Sequence, residues 1–401
     1  MNLPPKKSQQ RPPNCRSSPI ILPDELITEV LSYLPVKSLM QLKCCCKSWN
    51  TLVSKPFFIR LHLQRSSKNP HFTLFNIPDM NKDDTDAVLI SFTRLIESSL
   101  CLSKSITLTN DPYYRLENKS CCWIVGSCNG LLCLLGYSLN RDMWLHFWNP
   151  ATRKISYKLG RFGGIPSLLD LTFGYDNSKD TYKVVNLLHG GARVFSLDDK
   201  VWRNIKSFPM GFYHRYISTG LHLSGIVYYL VIQNYSSSFY DCKNIIVEQF
   251  AIISLDLGTE TCKDLLPPRG FAEVPHVKPS LCELLDCLCF SHVVKKAHLV
   301  IWQMTHYGVE ESWSQLLKIN LQIMTHYGVE HYGLEKYFDS QWLPLHLSRN
   351  YDSLVLINNL DDLPVVYNLR DDSVERIRII NGKRCWRYNK NYYAESLVLC
   401  R

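Results

Sequence analysis

No uninterrupted apolar run in this sequence approaches the roughly 18–20 residues that a membrane-spanning helix needs. The richest window, Leu281 to Val294, is broken by Glu283 and Asp286. A helical membrane span is excluded on that ground, and no membrane partner is expected. The first segment carries prolines and lysines where a secretory signal would have an apolar stretch. The expectation is a soluble protein of a reducing compartment, cytoplasmic, nuclear or both. Its 16 cysteines are then mostly free, buried, small apolar side chains. Nucleophile and phosphate motifs are also missing: there is no Gly-x-Ser-x-Gly, no His-Glu-x-x-His and no Walker loop. The glycine loops Arg161-Phe162-Gly163-Gly164-Ile165-Pro166 and His189-Gly190-Gly191 do not continue into a Lys-Ser/Thr helix start, so neither is expected to cradle phosphate.

Metal-ligand spacing is equally scarce. Cys44, Cys45 and Cys46 are consecutive and cannot converge on one tetrahedral ion from a helix. Cys282, Cys287 and Cys289 lack a matching Cys-x-x-Cys pair, while Cys121, Cys122, Cys128 and Cys133 sit in apolar strand sequence. His306, His326 and His331 have no carboxylate at ligand spacing, and two of them are copies from a duplication described below. No metal and no cofactor are expected.

Charged residues make up only 20% of the chain and apolar residues 46%, the balance of a folded protein. Lys and Arg outnumber Asp and Glu by 45 to 36, a formal net charge of +9. Four of the positives, Lys6, Lys7, Arg11 and Arg16, lie in a first segment without a single acid. The others are dispersed, which argues against a nucleic-acid-binding face.

The chain divides into three parts. Residues 1–19 are rich in Pro, Lys, Gln, Arg and Ser and read as a disordered basic arm. Residues 20–60 read as three short helices. Pro23, Asp24 and Glu25 suit a helix first turn, and Leu26, Ile27, Val30, Leu31 and Leu34 share one face. Pro35 ends that helix; Val36, Leu39 and Met40 give a second stripe, and Cys45, Trp49 and Leu52 a third. So small a unit buries little and needs a partner or the next domain to rest on.

Residues 70–401 change to period 2. One hairpin pattern recurs: an apolar strand, then Asn, Asp or Ser, a tight turn, and a second strand. It occurs at 145–153, 194–202, 252–259, 299–313 and 365–372. Pro150 presets φ for its turn, and Gly258 and Gly308 are expected to supply positive φ. The spacing of roughly 45–65 residues is near that of propeller blades, and Phe72-Thr73-Leu74-Phe75 opens the array. The fold class is therefore α+β multidomain, a small helical unit followed by an all-β domain of β-propeller type, with a β-sandwich as the alternative. A second repeat differs in kind: Met304-Thr305-His306-Tyr307-Gly308-Val309-Glu310 returns unchanged as residues 324–330. The first copy leads to Trp313, the counterpart of Trp202, and is expected to be the blade turn. The second is expected in a connection that the array does not require.

Leu22-Pro23-Asp24-Glu25-Leu26-Ile27, Val30-Leu31, Leu34-Pro35-Val36-Lys37-Ser38-Leu39 and Cys46-Lys47-Ser48-Trp49 occur in order and without a gap. The segment resembles the F-box, departing mildly at Leu42 and Cys45, where an aromatic and Val are common. The following region is similar to the plant F-box-associated interaction domain, through Ser127-Cys128-Asn129-Gly130-Leu131-Leu132-Cys133, Trp148-Asn149-Pro150-Ala151-Thr152-Arg153, Phe173-Gly174-Tyr175-Asp176, Tyr182-Lys183-Val184-Val185 and Tyr307-Gly308-Val309-Glu310-Glu311-Ser312-Trp313. This resemblance implies a non-catalytic substrate receptor of a Skp–cullin–F-box ubiquitin ligase. Its partners would be a Skp-type adaptor, through it the cullin–RING subunits, and an unidentified target protein. The residues for the adaptor or the helical core are Leu22, Pro23, Leu26, Ile27, Val30, Leu31, Leu34, Pro35, Val36, Leu39, Leu42, Cys45 and Trp49; sequence alone does not divide the two roles. The rival readings are a propeller hydrolase or oxidase with a helical cap, and a basic nucleic-acid binder; no motif supplies the converging residues that either needs.

Overall fold

The structure is a computed structural model that describes residues 23–68, 71–76, 86–91, 106–107, 115–117, 123–138, 142–163, 171–188, 190–209, 220–235, 240–326, 341–358, 364–376, 379–380, 386–388 and 393–399. Leu22, the arm at 1–19, Cys121, Cys122, His189, His331 and part of the 161–166 loop lie outside these residues.

Four helices open the chain, not three: α1 (Asp24–Leu31), α2 (Val36–Cys45), α3 (Lys47–Ser54) and α4 (Pro56–Ser66). Pro23 and Pro35 stand immediately before α1 and α2 in extended backbone. Cys45 closes α2 and does not belong to α3. Cys46 takes the N-cap of α3, its Sγ accepting from Trp49 N at 3.4 Å. The helix missed by sequence reading, α4, has Pro56 in its first turn and buries Phe58 and His62.

Among the described residues the β region consists of antiparallel blades of four or five strands, built from consecutive strands in blades two to six, and a short parallel pair of Ile106–Thr107 with Ile379–Ile380; it is a propeller rather than a sandwich. The second blade comprises Trp123–Cys128, Leu131–Tyr137, Asp142–Asn149 and Lys154–Ile155, with Leu159–Gly163 also pairing to the third of these strands. The third blade comprises Leu171–Asp176, Thr181–Leu188, Gly191–Ser196 and Trp202–Ile205. The fourth comprises Leu221–Leu223, Ile226–Ile232, Phe250–Asp256 and Cys262–Leu265. The fifth comprises Ser280–Leu284, Cys287–Val294, His298–Met304 and Trp313–Asn320, and the sixth Trp342–Leu347, Ser353–Asn358, Pro364–Asn368 and Val374–Arg376. The first blade closes the ring: His71–Asn76, Asp86–Ser91 and Arg115–Glu117 are joined by Trp386–Tyr388 from the far end of the chain, with Leu74 opposite Tyr388. Closure of this kind removes a free sheet edge.

All five hairpins read from the sequence are the same element, the third-to-fourth-strand hairpin of blades two to six. Their turn side chains bind the backbone as expected: Asn149 Oδ1 accepts from Thr152 N, Asp256 Oδ1 from Gly258 N and Thr259 N, and Asn368 Oδ1 from Arg370 N. Gly258 does not supply positive φ, however; Glu260 takes the left-handed position, at 58°. Gly258 is needed for space instead, because a Cβ there would stand 2.6 Å from Ser178 Oγ.

The core lies between blades. Val227, Tyr229 and Val231 pack toward Val185 and Val194 of the third blade, while Tyr228 and Leu230 pack toward Leu288 and Phe290 of the fifth. Period-2 alternation thus sends neighbouring side chains into two different interfaces, which is why Ile226–Ile232 reads as a continuous apolar run. An ion cluster crosses between the third and fourth blades. Lys183, 1% exposed, lies 3.0 Å from Asp176 and 2.9 Å from Glu260. Burial opposes the Asp176 charge, but hydrogen bonds from Ser178, Lys183 and the Lys179 amide hold its pKa below the ordinary carboxylate range. The Phe-Gly-Tyr-Asp and Tyr-Lys-Val-Val blocks are the two arms of this cluster.

The expected seat for the helices is the second blade together with the C-terminal segment. Leu31, Val36, Leu39, Val53 and Phe58 form one core with Ile124, Leu132, Leu134, Trp148, Ala151, Tyr393 and Leu397. Pro35 offers no side chain to cap α2. The cap comes from the other end of the chain: Glu395 Oε2 accepts from Val36 N at 2.9 Å, and its carbonyl accepts from Ser66 Oγ. The same tail is clasped by the second blade. Asn149 Nδ2 donates to the carbonyls of Ser396 (2.9 Å) and Val398 (2.8 Å), and Ala151 N donates to Tyr393 Oη. Gly130 has φ +80°, and a Cβ there would stand 2.0 Å from Ser396 Oγ. The Cys-Asn-Gly-Leu and Trp-Asn-Pro-Ala blocks therefore form the bed for the tail.

Candidate functional site

The docked core divides the apolar residues of the helical unit. Leu31, Val36 and Leu39 are buried, and Ile27, Leu34 and Leu42 are half-buried against the same cluster. Pro23, Pro35 and Cys45 are exposed and Trp49 is half-buried. Leu26 is 54% and Val30 64% exposed; both lie on α1, at i and i+4, and Tyr33 continues the line just past its end at 69%. The Arg65 guanidinium lies 4.0 Å over the Tyr33 ring and pairs with Glu29, fixing the end of this stripe against α4. Phe57 adds a further exposed ring, on α4. Burial against the blade, invisible in the sequence, is what separates the two sets.

The described cysteines are all free, as expected, but most are not buried: Cys128, Cys133, Cys282 and Cys289 are buried, Cys242, Cys262 and Cys287 are half-buried, and Cys44, Cys45 and Cys46 are exposed.

At the mouth of the propeller, α4 lies over the turns between the first two strands of blades two to six. It forms one wall of an open cleft of about 950 Å³. Cys128 and His222 meet there, with Sγ 3.6 Å from Nδ1. The pair is not an activated thiol. Burial pushes the His222 imidazole down to about 4 and the Cys128 thiol up, so neither charged form is favoured, and Tyr175 N donates to His222 Nε2.

Comparisons with known proteins agree with this arrangement. Residues 20–61 match the F-box domain, and residues 80–266 match the F-box associated beta propeller domain. The F-box/kelch-repeat protein At3g23880 of Arabidopsis thaliana is 29% identical over 321 residues, covering 75% of this chain and 80% of the relative. The putative F-box protein At1g47730 of the same plant is 25% identical, over 81% of this chain and 77% of its own. The chain thus carries an F-box domain followed by an F-box associated beta propeller domain, and the relatives it resembles are F-box and F-box/kelch-repeat proteins of Arabidopsis.

Proposed function

We propose that this protein is a substrate-recognition subunit of a Skp–cullin–F-box ubiquitin ligase. The observation that carries the reading is the exposed stripe Leu26, Val30 and Tyr33 on an F-box whose other apolar face is already consumed by the second blade. An unpartnered apolar stripe on an otherwise docked module calls for a partner. A Skp-type adaptor is the partner the family implies. Covering large apolar side chains there contributes about 1.5–3 kcal/mol each, against several kcal/mol for association.

In this reading the chain performs no chemistry. It binds adaptor and target at once, and so raises the effective concentration of target lysines near the ubiquitin donor. The propeller recruits the target through its rim loops, which a closed ring leaves free to vary. Co-purification with a Skp-type adaptor tests the reading: wild type should form a stoichiometric complex and Val30→Asp should not. Failure of the folded wild-type chain to bind any Skp-type adaptor overturns it.

A further inference from the structure

The first two strands of the fifth blade, Ser280–Leu284 and Cys287–Val294, are joined by a two-residue turn in which Leu285 and Asp286 both take left-handed backbone, at φ 52° and 60°. Such a turn matches the twist of its strands and pins their register. The register sets Cys282 directly opposite Cys289. Opposed residues share one face of a sheet, and here both thiols enter the core between the fifth and sixth blades, with Leu347, Leu354 and Leu356. The Cys289 thiol is hydrogen-bonded to Cys282. Opposed Cα atoms in an antiparallel pair stand about 4.5–5.5 Å apart, inside the roughly 4.4–6.8 Å that a disulfide spans. No other two of the described cysteines face one another in a sheet: Cys128 stands opposite Leu131, Cys133 opposite Gly126, Cys262 opposite Leu255 and Cys287 opposite Leu284. Cys242 lies in a 3-10 turn, and Cys44, Cys45 and Cys46 follow one another at the end of α2.

We propose that Cys282 and Cys289 form a redox-modification site, closed to a disulfide by a hydroperoxide and reopened by a thiol. Cys282 is 8% exposed and Cys289 0%, so the oxidant meets Cys282 first. The Cys282 thiolate attacks one peroxide oxygen and the O–O bond breaks, leaving a sulfenic acid on Cys282 and releasing an alcohol, or water where the oxidant is hydrogen peroxide. The Cys289 sulfur then attacks the sulfenic sulfur and displaces water, its proton leaving with that water. Two thiols and one hydroperoxide give one disulfide, one alcohol and one water; the sulfurs lose the two electrons that the O–O bond gains. The hydrogen bond to Cys282 and burial push the Cys289 thiol up, so it stays protonated at rest and closure is slow. The closed bond ties together the two strands whose turn, Leu285 and Asp286, lines the cleft under α4.

The test oxidises the folded full chain with hydrogen peroxide, alkylates the remaining thiols and cleaves after Glu283, which lies between the two cysteines. Mass spectrometry should find the fragments on either side of that cut still joined through Cys282 and Cys289, and dithiothreitol should part them. Oxidation in concentrated urea should lose the preference for this pair, because the preference rests on the folded register. Cys282→Ser and Cys289→Ser should each abolish the link, and Cys287→Ser should leave it. Wild type alone can overturn the proposal: Cys282 and Cys289 both still alkylated as thiols in a folded chain whose exposed Cys44 and Cys45 have been oxidised would do so. Equal linkage in folded and urea-unfolded chain, or a bond from Cys282 to Cys287 in place of Cys289, would do so too.

Discussion

Trp202 and Trp313 occupy one position in two blades. Each opens a fourth strand, and each donates its indole N–H to a carbonyl of the chain from the preceding blade: Gly160 O at 2.9 Å and Leu266 O at 3.2 Å. Trp202 also packs edge-on against Phe162 and lies under the Arg193 guanidinium, 4.6 Å away. These indoles tie neighbouring blades together at their outer edges. Because Trp313 is half-buried, Trp313→Ala should cost about 2–3 kcal/mol, below the ~3–5 kcal/mol of a fully buried tryptophan. Urea unfolding measures it, and a neutral result would show that the indole does not join the blades.

Leu31 and Val30 are adjacent in sequence and opposite in role. Leu31→Asp places a charge in the core shared by helices and blade, so it should destabilise the docked F-box by several kcal/mol. Val30→Asp should leave the melting temperature within about 2 °C of wild type and still abolish adaptor binding. Parallel melting curves and pull-downs distinguish the two. Equal destabilisation by both variants would deny the division of the stripe.

The ion cluster between the third and fourth blades gives a third expectation. Lys183→Ala leaves Asp176 buried without its cation, a loss of about 3–5 kcal/mol. The double variant Lys183→Met, Asp176→Leu should recover much of that loss. A single variant as stable as wild type would mean that solvent already reaches the pair.

Acid should weaken the propeller through its histidines. Burial holds His222, His292 and His346 down to about 4 in the folded chain, against about 6.5 when unfolded. Above pH 6.5 both states are neutral and the stability is intact. Between about 6.5 and 4 the unfolded chain takes up protons that the folded chain refuses, so stability falls with pH, by up to about 1.4 kcal/mol per unit per histidine. A flat stability profile across that window would contradict the burial of these rings.

The duplicated heptad shows how far the sequence was legible. Met304 and its copy Met324 are both fully buried, but in different places. Met304 ends a strand and packs toward the fourth blade; Met324 sits in a 3-10 turn, Leu321–His326, and packs toward the sixth. The first copy is the blade turn, as expected. The second lies in the connection after the fifth blade, but its methionine fills a core, so the copy is not dispensable. Met324→Ala should cost about 2–5 kcal/mol in urea unfolding. Tyr327 to Glu330 lie outside the described residues.

Much of the local chemistry was readable: the period-2 hairpins, the turn asparagines and aspartates, and Pro23 before α1; Pro35, read as the end of the first helix, stands instead before α2, four residues past the end of α1 at Leu31. What was not readable depends on contacts between residues far apart in sequence. The burial of Leu31 but not Val30, the cap on α2 and the assembly of the channel mouth all require the ring to close. The fourth helix is a different omission: Pro56, followed by Phe58, Leu61 and His62 at helical spacing, was a signal within reach.

The cap on α2 also has a consequence for biosynthesis. Synthesis delivers the F-box early and Glu395 late. Until the tail has threaded between α2 and the second blade, Val36 N has no acceptor and the core around Phe58 lacks Tyr393 and Leu397. A nascent or truncated chain therefore presents the exposed stripe of Leu26, Val30 and Tyr33 on an unseated module, and only a finished propeller holds that stripe in a fixed orientation. The C-terminal clasp makes completion of the propeller a condition for seating the helices.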